Sequence, residues 1–252
     1  MKLVIRADDV GYSEAVNYGI SKSVHDGLVR SVGLMPNMPA ARHGLDLLAD
    51  VKVCIGQHTN VCLGKPCADP ALIPSLLDEN GDLKSSRFYR AAWKEGREFV
   101  VLEEMVLEIE AQYQRFKELV GHEPGYFEAH AVMNKNLFQA LEIVAERHHL
   151  RYSAMVPGDR FSTFDGKPIA VCDMDSMQPD YDPFACLKKG VAQGSASLPN
   201  IFVCHPGYLD DFILKSSSLT VNRTREVAML TDPAVKQWLD SQGVELITYD
   251  DI

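Results

Sequence analysis

The chain has no run of about 18 apolar residues, so no segment reads as a membrane span. Its opening, Met1-Lys2-Leu3-Val4-Ile5-Arg6-Ala7-Asp8-Asp9, holds only Leu3, Val4 and Ile5 as an apolar run. That is far short of a secretory core. No C-x-x-C pair occurs among Cys54, Cys62, Cys67, Cys172, Cys186 and Cys204. They read as reduced thiols, not a disulfide framework or a zinc knuckle, and a cytoplasmic location is expected. No block of basic residues interrupts a net charge of −10, from 25 basic and 35 acidic residues. That disfavours nucleic acid and anionic membrane surfaces as partners. No G-x-G-x-x-G follows the first apolar strand, which removes the main argument for a dinucleotide fold.

What remains is ordinary globular composition over 252 residues, 46% hydrophobic and 24% charged. Short apolar strands alternate with amphipathic helices. Strands are expected from Leu3 onward, over Val29–Met35 and Val53–Ile55, around Tyr126 and Phe127, and over Tyr152–Met155, Ile169–Cys172, Ile201–Val203 and Val244–Thr248. Helices are expected from Ser13 to about Asp26, and over Ala40–Asp50, Glu98–Val120, Lys135–His148, Pro183–Ala192, Asn222–Leu230 and Asp232–Gln242. Repeated βα units imply a parallel sheet. About seven of them point to a deformed, TIM-like (β/α) barrel forming a single domain over residues 1–252. The Pro- and Gly-bearing stretch from Asn60 to Arg87 reads as a long loop of the kind that lines binding sites.

Polar signatures follow four of the apolar runs. Asp8-Asp9 follows Leu3–Ile5, His58 follows Val53–Ile55, His130 follows Tyr126-Phe127, and His205 follows Ile201–Cys204. A parallel barrel opens all its strand ends on one face, where its active site lies. Each signature alone has a plain structural explanation: an N-cap turn, a core histidine, or a Pro-Gly turn after His205. Jointly they place two carboxylates and three imidazoles at one mouth. Adjacent carboxylates repel, so Asp8-Asp9 calls for a nearby cation. An Asp with two His is a ligand set for a divalent metal with open positions, and the remaining Asp and His could share base and acid duties. Zinc suits the histidines and magnesium suits the carboxylates.

Ala7-Asp8-Asp9-Val10-Gly11-Tyr12-Ser13, Ser31 to Ala40, Ile55-Gly56-Gln57-His58-Thr59-Asn60, Glu128-Ala129-His130 and Cys204-His205-Pro206-Gly207-Tyr208 form a set of short motifs. Together they resemble the YdjC-like, or ChbG, family of carbohydrate deacetylases. The likeness extends over essentially the whole chain. It implies metal-dependent hydrolysis of the acetamide of an N-acetylated sugar. It implies Asp9, His58 and His130 as ligands of one divalent metal (Mg2+ or Zn2+), Asp8 as general base and His205 as general acid. Three positions depart from the family pattern: Glu128 for an Asp, Val132 for a His, and Val10 for an aromatic. Asn60, beside the third strand, is a candidate for orienting substrate. Arg87, Arg90 and Lys94 read as a basic helix face, with an anionic sugar the lesser reading. The alternatives are another metal-dependent sugar enzyme, an isomerase or phosphoesterase, or a non-catalytic carbohydrate-binding protein. A homodimer is a base-rate expectation.

Overall fold

The computed structural model describes residues 1–154 and 159–252. Its strands are β1 (Lys2–Val10), β2 (Ser31–Leu34), β3 (Cys54–Thr59), β4 (Phe127–Ala129), β5 (Phe161–Phe164), β6 (Lys167–Val171), β7 (Asn200–Cys204) and β8 (Glu245–Ile247). Its helices are α1 (Glu14–His25), α2 (Ala41–Asp46), α3 (Ser86–Lys94), α4 (Leu102–Val120), α5 (Lys135–His148), α6 (Pro183–Gln193), α7 (Asp211–Ser216), α8 (Val221–Leu230) and α9 (Pro233–Ser241).

The strands join in the order β4-β3-β2-β1-β7-β6-β5, with β8 pairing the first residues of β1. Every ladder is parallel except β5–β6. Isolated bridges from Phe127 to Tyr152 and from Ser153 to Phe164 link the two ends of this order. The sheet therefore curls into a deformed barrel. β1 lies at its centre and is buried from Leu3 to Val10, as a parallel strand covered on both faces should be.

Local chemistry accounts for most boundaries. Ser13 caps α1 by accepting from the Val16 amide. Met105, Ile109, Tyr113 and Phe116 form the buried stripe of α4, but Val101 lies ahead of that helix and is exposed. The turn before α4 is held by Glu98, whose carboxylate accepts from the Phe99 and Val100 amides. The Asn60–Arg87 stretch is a packed excursion rather than an open loop. It buries Ile73, Leu76 and Leu83 and passes into α3. The expected fifth strand is reduced to bridges at Tyr152 and Ser153, and Met155 lies outside the described residues.

β5 escaped the sequence reading, although its signal was present. Asp165-Gly166 joins β5 to β6, with φ of 51° and 71°. That left-handed pair is the mark of a two-residue hairpin. Among the described residues, no helix is long and apolar enough to cross a membrane.

Candidate active site

In a regular strand, neighbouring side chains point to opposite faces. Asp8 and Asp9 are adjacent, yet both line the same cavity. β1 achieves this with a register shift against β2 between Ala7 and Val10, and Asp9 takes φ of 80°. A bulge of this kind re-aims a side chain, and the left-handed backbone of a non-glycine residue is strain held in place by its surroundings. Ala131, beside His130, is strained likewise at φ 57°. Gly33 on β2 leaves room for the result. A methyl group there would sit 2.8 Å from Asp8 Oδ1 and 3.0 Å from His58 Cβ.

The cavity measures about 330 Å³ and takes in Asp8, Asp9, His58, His130 and His205 together. Asp8, Asp9 and His58 therefore lie within their strands rather than beyond them, since β1 runs to Val10 and β3 to Thr59. Asp9 Oδ1 is 3.4 Å from His58 Nε2 and 3.2 Å from His130 Nδ1. The two ring nitrogens are 2.9 Å apart. Three donors thus converge on one point.

Each aspartate has its own buried arginine. Arg6 Nη2 donates to Asp8 Oδ2 at 2.7 Å, and Arg223 Nη2 donates to Asp9 Oδ2 at 2.7 Å. The cation that the adjacent carboxylates call for is therefore present as two guanidiniums. In both residues Oδ1 is left buried without a hydrogen-bond donor. Such orphaned acceptors are costly unless a ligand or ion completes them.

Electrostatics mark the convergence point as a seat for positive charge. Burial pushes Asp9 up, but Arg223 and His130 override it and hold the carboxylate well below its usual range. Burial disfavours a charged His58, but Glu128 and Asp8 override it and raise its pKa well above the usual value. His130 is likewise pushed down by burial and raised by Asp9, to about 9. His58 Nδ1 is hydrogen-bonded to Glu128 Oε1. With Nδ1 held there, the ring once deprotonated at Nε2 would present that lone pair to the convergence point, the carboxylate–histidine support of a metal ligand. Asp, His and His donors, one bare carboxylate oxygen and this support all fit a divalent cation.

Glu128→Gln should therefore lower metal affinity about 10- to 100-fold, read by competition with a chromogenic chelator. Affinity within about twofold of the unsubstituted protein would remove Glu128 from this role. A second cluster, Asp8, His58 and Glu128, shares His58. It already holds Arg6, 2.7 Å from Asp8 and 3.4 Å from Glu128. A second cation there would have to expel a guanidinium.

His205 stands apart from the triad. Burial holds its imidazole neutral, with a pKa of about 4, and Nδ1 is buried without a partner. Its backbone is fixed from α8. Glu226 Oε2 accepts the His205 amide at 2.6 Å, and Arg223 Nη1 donates to the His205 carbonyl at 3.3 Å. Glu226 also accepts from the Tyr181 hydroxyl at 2.8 Å. Burial raises the Glu226 carboxyl to about 7. A raised carboxyl binds its proton in the folded state first, so its contribution is full below the unfolded value and is lost as pH rises through about 7. Relative to Glu226→Gln, the unsubstituted protein should lose on the order of 2–3 kcal/mol between pH 5 and pH 8. Urea unfolding of both proteins in chelator reads this. A constant difference across that range would show that Glu226 is ionised throughout.

Asn60 does not join the site. It is absent from the cavity lining and fully buried. Its amide donates to Asn37 Oδ1 and the Leu63 carbonyl, and its oxygen accepts from the Cys62 amide. The expectation that it orients substrate gives way to a role in holding the turn after β3. Of Arg87, Arg90 and Lys94, only Arg90 lines the cavity.

The sequence profile of the YdjC-like protein family matches residues 2–241. The chain belongs to this family. Carbohydrate deacetylase 2 of Listeria innocua is 31% identical over 256 residues, spanning 100% of this chain and 99% of its own. A chitooligosaccharide deacetylase of Citrobacter koseri is 28% identical over 261 residues, spanning 99% and 98%. An Enterococcus faecalis V583 crystal structure named for cellobiose-phosphate cleavage superposes with a TM-score of 0.82. It is 25% identical and covers 99% of this chain and 98% of its own.

Proposed function

We propose that this YdjC-like protein is a metal-dependent deacetylase that hydrolyses the acetamide of an N-acetylated sugar and releases acetate. The observation that carries the proposal is the pair of bare Oδ1 atoms in one cavity. Asp9 Oδ1 faces His58 and His130, and Asp8 Oδ1 remains free beside them. Asp9, His58 and His130 would hold one divalent cation, Mg2+ or Zn2+, which acidifies water and polarises a carbonyl. The names of the Listeria and Citrobacter relatives support the deacetylation of a carbohydrate.

The chain's own residues divide the proton work. Asp8 Oδ1 takes a proton from the attacking water while Arg6 pins Oδ2. An amide nitrogen leaves poorly unless protonated, and in this reading His205 takes a proton from solvent water as attack proceeds and passes it to that nitrogen, returning to its neutral form. Burial keeps its imidazole neutral at rest. Negative charge gathering in the cavity during attack favours the imidazolium, so protonation is coupled to attack rather than preset. Arg223 holds the other oxygen of Asp9 and the backbone of His205, which ties the triad to the proton donor.

The test measures bound metal, then acetate release from N-acetylated mono- and disaccharides with and without chelator. Release that chelator abolishes and added metal restores is expected. Stoichiometric metal with no release from any acetylated sugar would sink the proposal.

A further inference from the structure

The cavity has two unlike sides. β7 adjoins β1 on one side, while β4 lies on the other, beyond β2 and β3. His205 follows β7, and the stretches after β6 and β7 bring Ser176 and Ser216–Ser218 into the lining, mixed with Met174, Met177 and Leu219. Hydroxyls set among apolar groups suit a sugar, which needs both. The stretch after β4 is different. Apart from Glu128 and His130, which belong to the proposed metal site, all it contributes to the lining is apolar: Ala129, Ala131, Val132 and Phe138. Local geometry places them. The Val132 amide donates to the His130 carbonyl at 2.7 Å in a γ-turn about Ala131, whose φ is 57°. Val132 is only 4% exposed as a result. Asn134 caps α5 through the Leu137 amide, which sets Phe138 in the first turn of that helix, half-buried against the core. Ser86 and Arg90 of α3 also reach the cavity, and Arg90 Nη2 donates to Ser86 Oγ at 3.0 Å.

The carbonyl carbon of the scissile amide carries the leaving nitrogen and the acyl group. His205 serves the nitrogen, so the sugar belongs to the β7 side and the acyl group points away from it, toward the β4 side. An acetyl methyl is too small to cover four apolar side chains, whereas a longer chain buries more of them at each added carbon. We infer, on the deacetylase reading above, that Ala129, Ala131, Val132 and Phe138 form an acyl pocket that takes groups longer than acetyl, so that the enzyme also removes propionyl and butyryl groups from amino sugars. The bond changes are those of acetamide hydrolysis. The oxygen of water joins the acyl carbon, the C–N bond breaks, and the products are the longer carboxylate and the free amine.

The experiment compares Phe138→Ala and Phe138→Leu with the unsubstituted chain. Binding of acetohydroxamate, propionohydroxamate and butyrohydroxamate to zinc-loaded protein is measured by calorimetry, because a hydroxamate presents its acyl chain without a sugar. Carboxylate release is followed from N-acetyl-, N-propionyl- and N-butyrylglucosamine and from their β-1,4-linked dimers. Each added methylene should tighten hydroxamate binding about fourfold, so butyrohydroxamate should bind about tenfold or more tighter than acetohydroxamate. Phe138→Ala should cut that gain to about threefold or less, and Phe138→Leu should keep most of it. Equal affinity along the series, with acetate released but no butyrate, overturns the pocket and leaves the deacetylase reading standing. A rising series that Phe138→Ala flattens, with no carboxylate from any sugar, supports the pocket and removes the deacetylase reading. A gain that survives Phe138→Ala undiminished, or no hydroxamate binding at all, overturns the pocket whatever the sugars do.

Discussion

Replacing Asp8 with Asn should lower kcat by about 10²- to 10⁴-fold while metal binding is retained, the span associated with loss of a general base. The substitution is close to isosteric, and an amide oxygen can still accept from Arg6. Arg6 also keeps its contacts with Glu128 and with the Tyr249 hydroxyl, so no buried charge loses all its partners. What disappears is proton affinity at Oδ1, the atom that the protein leaves without a donor. Asp9→Asn should behave differently, because Oδ1 of Asp9 is one of the three converging donors. There metal content should fall together with activity. Equilibrium dialysis for metal and initial rates of acetate release separate the two cases. An Asp8→Asn protein with full turnover would show that another group takes the proton. One that loses its metal would move Asp8 from base to ligand.

That Asp8, Asp9, His58, His130 and His205 meet in one cavity was legible because a parallel barrel gathers its strand ends, and a polar residue closing an apolar run is visible in one dimension. Their supports were less visible. Arg6 sits two residues before Asp8, on a strand otherwise apolar from Leu3 to Ala7. A charge in such a run is the signal that a partner must lie nearby. Arg223 and Glu226, three apart on α8, form a buried polar face that helical spacing alone reads as solvent-facing. Their partners, Asp9 and His205, come from distant parts of the chain. Asn60 failed in the opposite sense: its place beside β3 suggested substrate contact, but its hydrogen bonds close the local turn. The bulge that turns both aspartates inward leaves little trace in the residues, because Asp9 takes a backbone conformation that glycine would ordinarily mark.

Arg223 offers the sharpest test of how this site is balanced. It is almost fully buried and donates to Asp9, to the His205 carbonyl and to the Leu219 carbonyl. In metal-free protein, Arg223→Gln leaves the buried Asp9 carboxylate with only the His130 and His58 rings beside it. The expected loss is about 3 kcal/mol, the low end for broken buried pairs, because His130 still faces the carboxylate. Asp9→Asn in the same chain removes the under-compensated charge, so the double variant should be more stable than Arg223→Gln alone. The coupling identifies the pair as the cause rather than lost packing. A dication bound at Asp9 neutralises the same carboxylate, so added metal should raise the unfolding midpoint of Arg223→Gln more than that of the unsubstituted protein. Urea titrations in chelator and in excess metal read all three terms. Equal losses in the single and double variants would mean that Arg223 acts through its carbonyl contacts, positioning His205 rather than balancing Asp9.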